Sequence, residues 1–154
     1  MVSVILWILA GGVLVAVDRI TKFLAVKYLM GSGSVVIIPK ILGFYYTTND
    51  GAAFSSFSGK RIALIVLPIV MMIVLIAVLA KSKNKNFLLK LTTLLIIAGG
   101  LGNLIDRIKY GYVVDFLNFL FVNFPIFNAA DIFVCVGGFI LVIYLIFFSD
   151  KEKK

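Results

Sequence analysis

The 154-residue chain contains no histidine and one cysteine, and only seven of its residues are acidic. Without histidine there is no Ser–His or Cys–His dyad, no HExxH zinc site and no imidazole proton shuttle, which removes most hydrolase mechanisms at once. The lone Cys135 lies in an apolar run, so it offers neither a disulfide framework nor a metal-ligand spacing. It is expected to be a small packing residue. Charge is scarce as well, at 14% of residues against 62% hydrophobic, with a mean hydropathy of +1.15. A soluble domain of this length needs far more polar surface than that, so the chain reads as an integral membrane protein. No linker, charge block or repeat marks a second domain, and residues 1–154 are expected to form a single membrane-embedded unit.

The net charge of +8 is not arranged for nucleic acid, since no basic helix or aromatic-interleaved stripe appears and the lysines gather at the ends of apolar runs. A bilayer core about 30 Å thick takes about 20 apolar residues in helix. Four runs suit it, at about residues 4–24, 62–80, 88–105 and 131–148. The first lacks a basic n-region and is followed by Asp18-Arg19 where a cleavage site would stand, so it is expected to be retained. Pro68 in the second predicts a kink or a hydrogen-bond gap, and Gly137-Gly138 in the fourth a close-packing point. The fold class predicted is an all-α, four-transmembrane-helix bundle. Between helices 1 and 2, residues 31–61 carry the β-branched and aromatic runs Val35–Ile38 and Phe44–Thr48, which predict a small extracytoplasmic β element.

Four antiparallel spans put the end of the first, the start of the second, the end of the third and the start of the fourth on one side. Asp18, Asp106 and Asp131 therefore converge, with Asp115 on the connection between spans three and four. The other side holds the basic turn Lys81-Ser-Lys83-Asn-Lys85 and the tail Lys151–Lys154, which makes it cytoplasmic with both termini inside. An ionisable group near hydrocarbon is a functional candidate by default.

Asp18 and Lys22 share a helix face and can pair, either as an ion pair fixing a helix end or as part of a site. Asn103, Asp106 and Arg107 fall at i, i+3 and i+4 and can form a polar clasp, beside a Gly99-Gly-Leu-Gly102 strip that admits a close neighbour. Asn128 and Asp131 stand three apart at the start of span four, a spacing that a helix cap alone would explain. Asp115, among Val113, Val114, Phe116 and Leu117, shows neither a cap nor a cation partner. Two carboxylates held close cannot both ionise cheaply, so one keeps a proton. That is the arrangement of an aspartic protease, in which one carboxylate takes a proton from water and the other polarises the scissile carbonyl.

Five motifs in order carry a resemblance over nearly the whole chain: Asp18-Arg-Ile-Thr-Lys22, Asn49-Asp-Gly51-Ala-Ala-Phe54, Gly99-Gly-Leu-Gly-Asn103-Leu-Ile-Asp106-Arg107, Val113-Val-Asp115-Phe116 and Phe127-Asn128-Ala-Ala-Asp131. Together they resemble lipoprotein signal peptidase, the bacterial type II signal peptidase. The resemblance implies an aspartic endopeptidase of the bacterial cytoplasmic membrane, without metal or cofactor. Such an enzyme removes the signal peptide from prolipoproteins whose cysteine carries diacylglycerol, cutting just before that cysteine. It implies Asp115 and Asp131 as the catalytic pair, and Asn49, Gly51, Asn103, Asp106, Arg107 and Asn128 as the polar shell, supported by Asp18 and Lys22. It also implies inhibition by the cyclic peptide globomycin at the same site. Two departures stand out: Arg19 where glutamine is usual and Thr48 where a basic residue often precedes the asparagine. A proton-coupled transporter would instead place acids at mid-span with a repeated half, and a presenilin-type protease would need a Gly-x-Gly-Asp motif that Tyr112-Val-Val-Asp115 lacks. No oligomer signal is evident, and a monomer is expected.

Overall fold

The computed structural model describes residues 2–51, 60–82 and 86–148. Its elements are α1 (Val2–Leu29), β1 (Ser34–Ile38), β2 (Leu42–Asn49), α2 (Arg61–Lys81), α3 (Phe87–Lys109), β3 (Val113–Phe119) and α4 (Ala129–Phe147). All four helices are long and apolar enough to cross a bilayer. Residues 83–85 of the basic turn, the tail and residues 52–54 of the second motif lie outside the described residues.

Helix α1 runs past the expected end at residue 24 to Leu29, because no breaker follows Lys22 until Gly31. Gly31 and Gly33 then adopt φ of 80° and 74°, the left-handed region open to glycine, and turn the chain into β1. Helix α2 is continuous through Pro68, whose missing N–H leaves the carbonyl of Leu64 without its usual helical donor. Asn86 caps α3 by accepting from the Leu88 N–H at 2.9 Å.

Helix α3 is the hub, packing on α4, α1 and α2. Small residues make these approaches possible. A Cβ on Gly102 would stand 2.6 Å from the Asp18 carboxylate, and one on Gly137 would press on Leu95 and Ile96 at 2.8–2.9 Å. Beside Gly137, the buried Thr92 hydroxyl donates to its carbonyl. Gly138 faces open space, so only the first glycine of the expected packing point is used.

The outward faces of α1, α2 and α4 expose Ile8, Val13, Ile73, Val74, Phe139 and Ile146, as suits helices solvated by lipid. Cys135 is exposed as well, which corrects its expected packing role. In a membrane span an apolar residue has no need to face inward, because both sides of the helix are apolar.

The β element is larger than expected. β1 and β2 form the antiparallel pair read from residues 31–61, but a third strand, β3, joins from the connection between α3 and α4 to give the order β1-β2-β3. Strand alternation sorts β3 into two faces. Val114 and Phe116 pack on Ala25 and Leu29 at the end of α1, while Val113 and Asp115 turn to the other face, toward α3 and α4.

Candidate active site

The polar residues meet where α1, α3, β3 and the start of α4 converge. On α1, Lys22 is almost fully buried, with its ammonium 3.1 Å from Asp18 Oδ2, 3.0 Å from Asp106 Oδ2 and 2.7 Å from Asn103 Oδ1. These three acceptors match its three protons. Arg19 bridges the same two acids, with Nη1 2.5 Å from Asp106 Oδ1 and Nη2 3.0 Å from Asp18 Oδ2. Two carboxylates and two cations thus balance in a region from which water is largely excluded, which is the condition for holding charge there without a large net cost.

This cluster corrects two sequence expectations. Asp106 pairs with Arg19 and Lys22 of α1, not with its neighbour Arg107. Consecutive helical residues point about 100° apart, so Arg107 turns the other way and donates to the Gly51 carbonyl at 2.9 Å. Arg19, which the sequence marks only as a departure, is a full member of the cluster. Thr48 is exposed and pairs with Val114 across the sheet, and it takes no part in these ion pairs.

Asp115 and Asp131 are held by amides. Asn128 Nδ2 donates to Asp115 Oδ1 at 2.6 Å, and Asn49 Nδ2 donates to Asp115 Oδ2 at 3.1 Å. Asn49 reaches it because Thr47 is opposite Asp115 in the register, which puts residues 47 and 49 on the same face. The Asn49 side-chain oxygen accepts from the Gly51 N–H at 2.9 Å, which fixes the amide's orientation.

Asp131 Oδ1 accepts from Asn103 Nδ2 at 2.7 Å, and its Oδ2 accepts from the Asn128 backbone N–H at 3.1 Å. Asn128 Oδ1 in turn accepts from the Asp131 N–H at 3.0 Å, completing a capping box on α4. The helix-cap reading of Asp131 therefore holds, and the cap is built so that the free amide of Asn128 faces Asp115. What brings them together is the bridge between Leu117 and Phe127, with N···O distances of 2.8 and 3.0 Å, which lays the chain before α4 along β3.

Both aspartates border a cavity of about 570 Å³ whose wall includes Asn49, Asn103 and Arg107 on the polar side and Met72, Val134 and Phe124 on the apolar side. Burial, and then the charge of Asp131, push the Asp115 carboxyl up from its ordinary 3.8 to about 6, against the opposing hydrogen bonds of Asn128 and Asn49. Among the described residues no cluster of three His, Cys, Asp or Glu side chains could hold a metal. Arg61, at the start of α2, was not singled out from sequence. Its guanidinium donates to the carbonyls of Arg107 and Ile108 at 3.0 and 2.8 Å and closes the end of α3.

A family model described as signal peptidase (SPase) II matches residues 10–147. The chain is 42% identical over 143 residues to a lipoprotein signal peptidase of Clostridium tetani, covering 91% of this chain and 92% of that one. It is 45% identical over 134 residues to the lipoprotein signal peptidase of Caldanaerobacter subterraneus, covering 86% and 90%. Among solved structures, a bacterial membrane enzyme determined by the in meso method at 2.3 Å resolution superposes with a TM-score of 0.85 at 32% identity, covering 96% of this chain and 92% of that one. With its four spans, its converging aspartates and these relatives, the chain is a multi-pass bacterial membrane protein that belongs to the signal peptidase II family.

Proposed function

We propose that Asp115 and Asp131 are the catalytic dyad of an endopeptidase that cuts diacylglyceryl-modified prolipoproteins immediately before the lipidated cysteine. The observation that carries this reading is that both carboxylates border one cavity and both are hydrogen-bonded to Asn128. Asp131, at the start of α4 where the helix dipole favours negative charge, is the base. It takes a proton from water, whose oxygen attacks the carbonyl carbon of the scissile peptide. Asp115, which takes up a proton more readily than an ordinary carboxylate, is protonated in the reactive form and donates a hydrogen bond to the carbonyl oxygen as negative charge develops there. When the C–N bond breaks, the proton held by Asp131 goes to the departing amine of the cysteine. Asn49, Asn103 and Asn128 hold the two carboxylates, Arg107 with Gly51 orients the substrate backbone, and Asp18, Lys22 and Asp106 support them from behind.

The apolar wall of the cavity suits a substrate anchored by its acyl chains and signal helix, which confine it to the bilayer and bring the scissile bond to its surface. The chain acts as a single-domain monomer in the cytoplasmic membrane, with both termini cytoplasmic and the site on the outer side. A globomycin-type cyclic peptide competes for the cavity. Purified protein in lipid is expected to cleave a diacylglyceryl-modified precursor and spare the unmodified one, read as a gel shift. Asp115→Asn or Asp131→Asn is expected to lower turnover by at least about a thousandfold with the fold intact. Full turnover by either variant overturns the dyad assignment.

A further inference from the structure

The two supporting aspartates do more than neutralise cations. Asp106 Oδ2 accepts from the backbone N–H of Val114 at 3.4 Å, and Asp18 Oδ1 accepts from the backbone N–H of Ala130 at 3.2 Å. Val114 immediately precedes Asp115, and Ala130 immediately precedes Asp131. Each supporting carboxylate therefore holds the chain one residue before a carboxylate of the dyad, one on β3 and the other at the start of α4. Asp18 is itself wedged against α3 by the absence of a side chain on Gly102. The Leu117–Phe127 bridge brings the two held backbones together, and how Asp18 and Asp106 are held to each other adjusts their relative position.

Lys22 and Arg19 both make that link, but differently. Lys22 reaches one oxygen of each acid and spends its third proton on Asn103. Arg19 places its two terminal nitrogens on the two acids, in the planar fork that fixes angle as well as distance. Its buried Nε has no hydrogen-bond partner among the described residues, and the side chain engages the acids through Nη1 and Nη2.

We propose that Arg19 is a positioning residue of the peptidase reaction, which sets the separation of Asp115 and Asp131 by locking Asp106 to Asp18. The inference rests on the dyad reading above. Arg19 touches neither the cavity nor the two dyad carboxylates, so it acts through the groups that Asp18 and Asp106 hold, which are the two backbone anchors and Lys22.

The test is steady-state cleavage of a diacylglyceryl-modified precursor by full-length protein in lipid, with thermal unfolding measured on the same samples. Arg19→Met, which keeps the reach of the side chain but removes every donor, is expected to lower kcat about tenfold or more while KM stays within about twofold, since a small misplacement of catalytic groups costs rate and not substrate binding. Arg19→Lys, which restores the charge but not the fork, is expected to recover kcat only in part. A lowered melting temperature with unchanged kcat in Arg19→Met overturns the proposal and leaves Arg19 a stabilising residue. A rise in KM with kcat unchanged overturns it as well. Should Arg19→Met fail to fold, Arg19→Lys decides alone, and wild-type kcat there overturns the proposal. Asp115→Asn and Asp131→Asn run alongside: if either turns over normally, the dyad reading falls and takes this one with it, whereas inactive dyad variants with a fully active Arg19→Met overturn only the role of Arg19.

Discussion

Two pairs of aspartates lie side by side in this bundle and are held in opposite ways. Asp18 and Asp106 are fully buried and locked by two cations, with every carboxylate oxygen committed to Arg19, Lys22 or a backbone N–H. Among the described residues Asp115 and Asp131 are held only by neutral amides and a backbone N–H, and they border the cavity. Strong cation pairing quenches a carboxylate, because it fixes the charge and fills the lone pairs. Amide donors orient a carboxylate and leave its protonation state free to change. The same residue type thus serves as structure in one place and is available for chemistry a few ångströms away.

The largest expected effect separates these two roles. Asp106→Asn leaves Arg19 and Lys22 facing only Asp18, and unmatched charge in a buried cluster typically costs about 3–5 kcal/mol. Asp115→Asn replaces a buried acid by an amide of the same shape, so little or no stability should be lost while turnover disappears. Thermal unfolding of both variants in the same lipid or detergent checks this. Equal destabilisation by the two would erase the distinction between a structural and a reactive pair.

The next expected effect is a pH dependence that only the reactive pair should show. The folded-state pKa of Asp115 is raised from 3.8 to about 6, so the folded protein holds this proton more tightly than the unfolded chain. The sign follows: below about 3.8 the group is neutral in both states and costs nothing. Between 3.8 and about 6 folding is progressively penalised, and above 6 the full penalty of about 3 kcal/mol applies. Relative to wild type, Asp115→Asn should therefore gain stability as pH rises from 4 to 7. Asp106→Asn should show no such gain. A wild-type and Asp115→Asn pair whose melting temperatures stay parallel over that range would mean that Asp115 carries no burial penalty.

How much of this was legible in the sequence depends on the distance over which each contact acts. Hydropathy over about 20 residues is a local property, and it located all four spans to within a few residues at most ends. Antiparallel threading then brought the polar groups to one end without any contact being known. Pairings across the bundle were not legible. β3 was read as a connection because the strand it pairs with, β2, lies more than sixty residues earlier, and the sequence around Asp115 shows only a short apolar run. The clasp expected of Asn103, Asp106 and Arg107 from their spacing fails at Arg107 for a geometric reason, since neighbours on a helix diverge. The bridging role of Arg19 is not visible in the sequence because its more distant partner, Asp106, is 87 residues away. The capping box of Asn128 and Asp131 is local and was visible as a spacing, but its link to Asp115 through the Leu117–Phe127 bridge was not.

The smallest expected effect concerns the apolar wall of the cavity that the proposed dyad borders. Cys135 lines the cavity and is exposed, so removing its sulfur leaves no void inside the helix bundle. Cys135→Ala should change stability by no more than about 0.5 kcal/mol, as for other exposed positions, and should leave kcat unchanged. Filling the same space has the opposite consequence. Cys135→Trp puts a large ring into the cavity and should raise KM roughly tenfold, about 1.4 kcal/mol of lost binding shared by ground and transition states, while kcat holds. The split matters because the cavity wall and the dyad are then separable in function: one grips an apolar substrate and the other cuts it. If Cys135→Ala instead destabilises the protein by more than about 1 kcal/mol, as a buried packing residue would, the residue belongs to the bundle interior. The cavity would then be narrower on the α4 side than its lining residues describe.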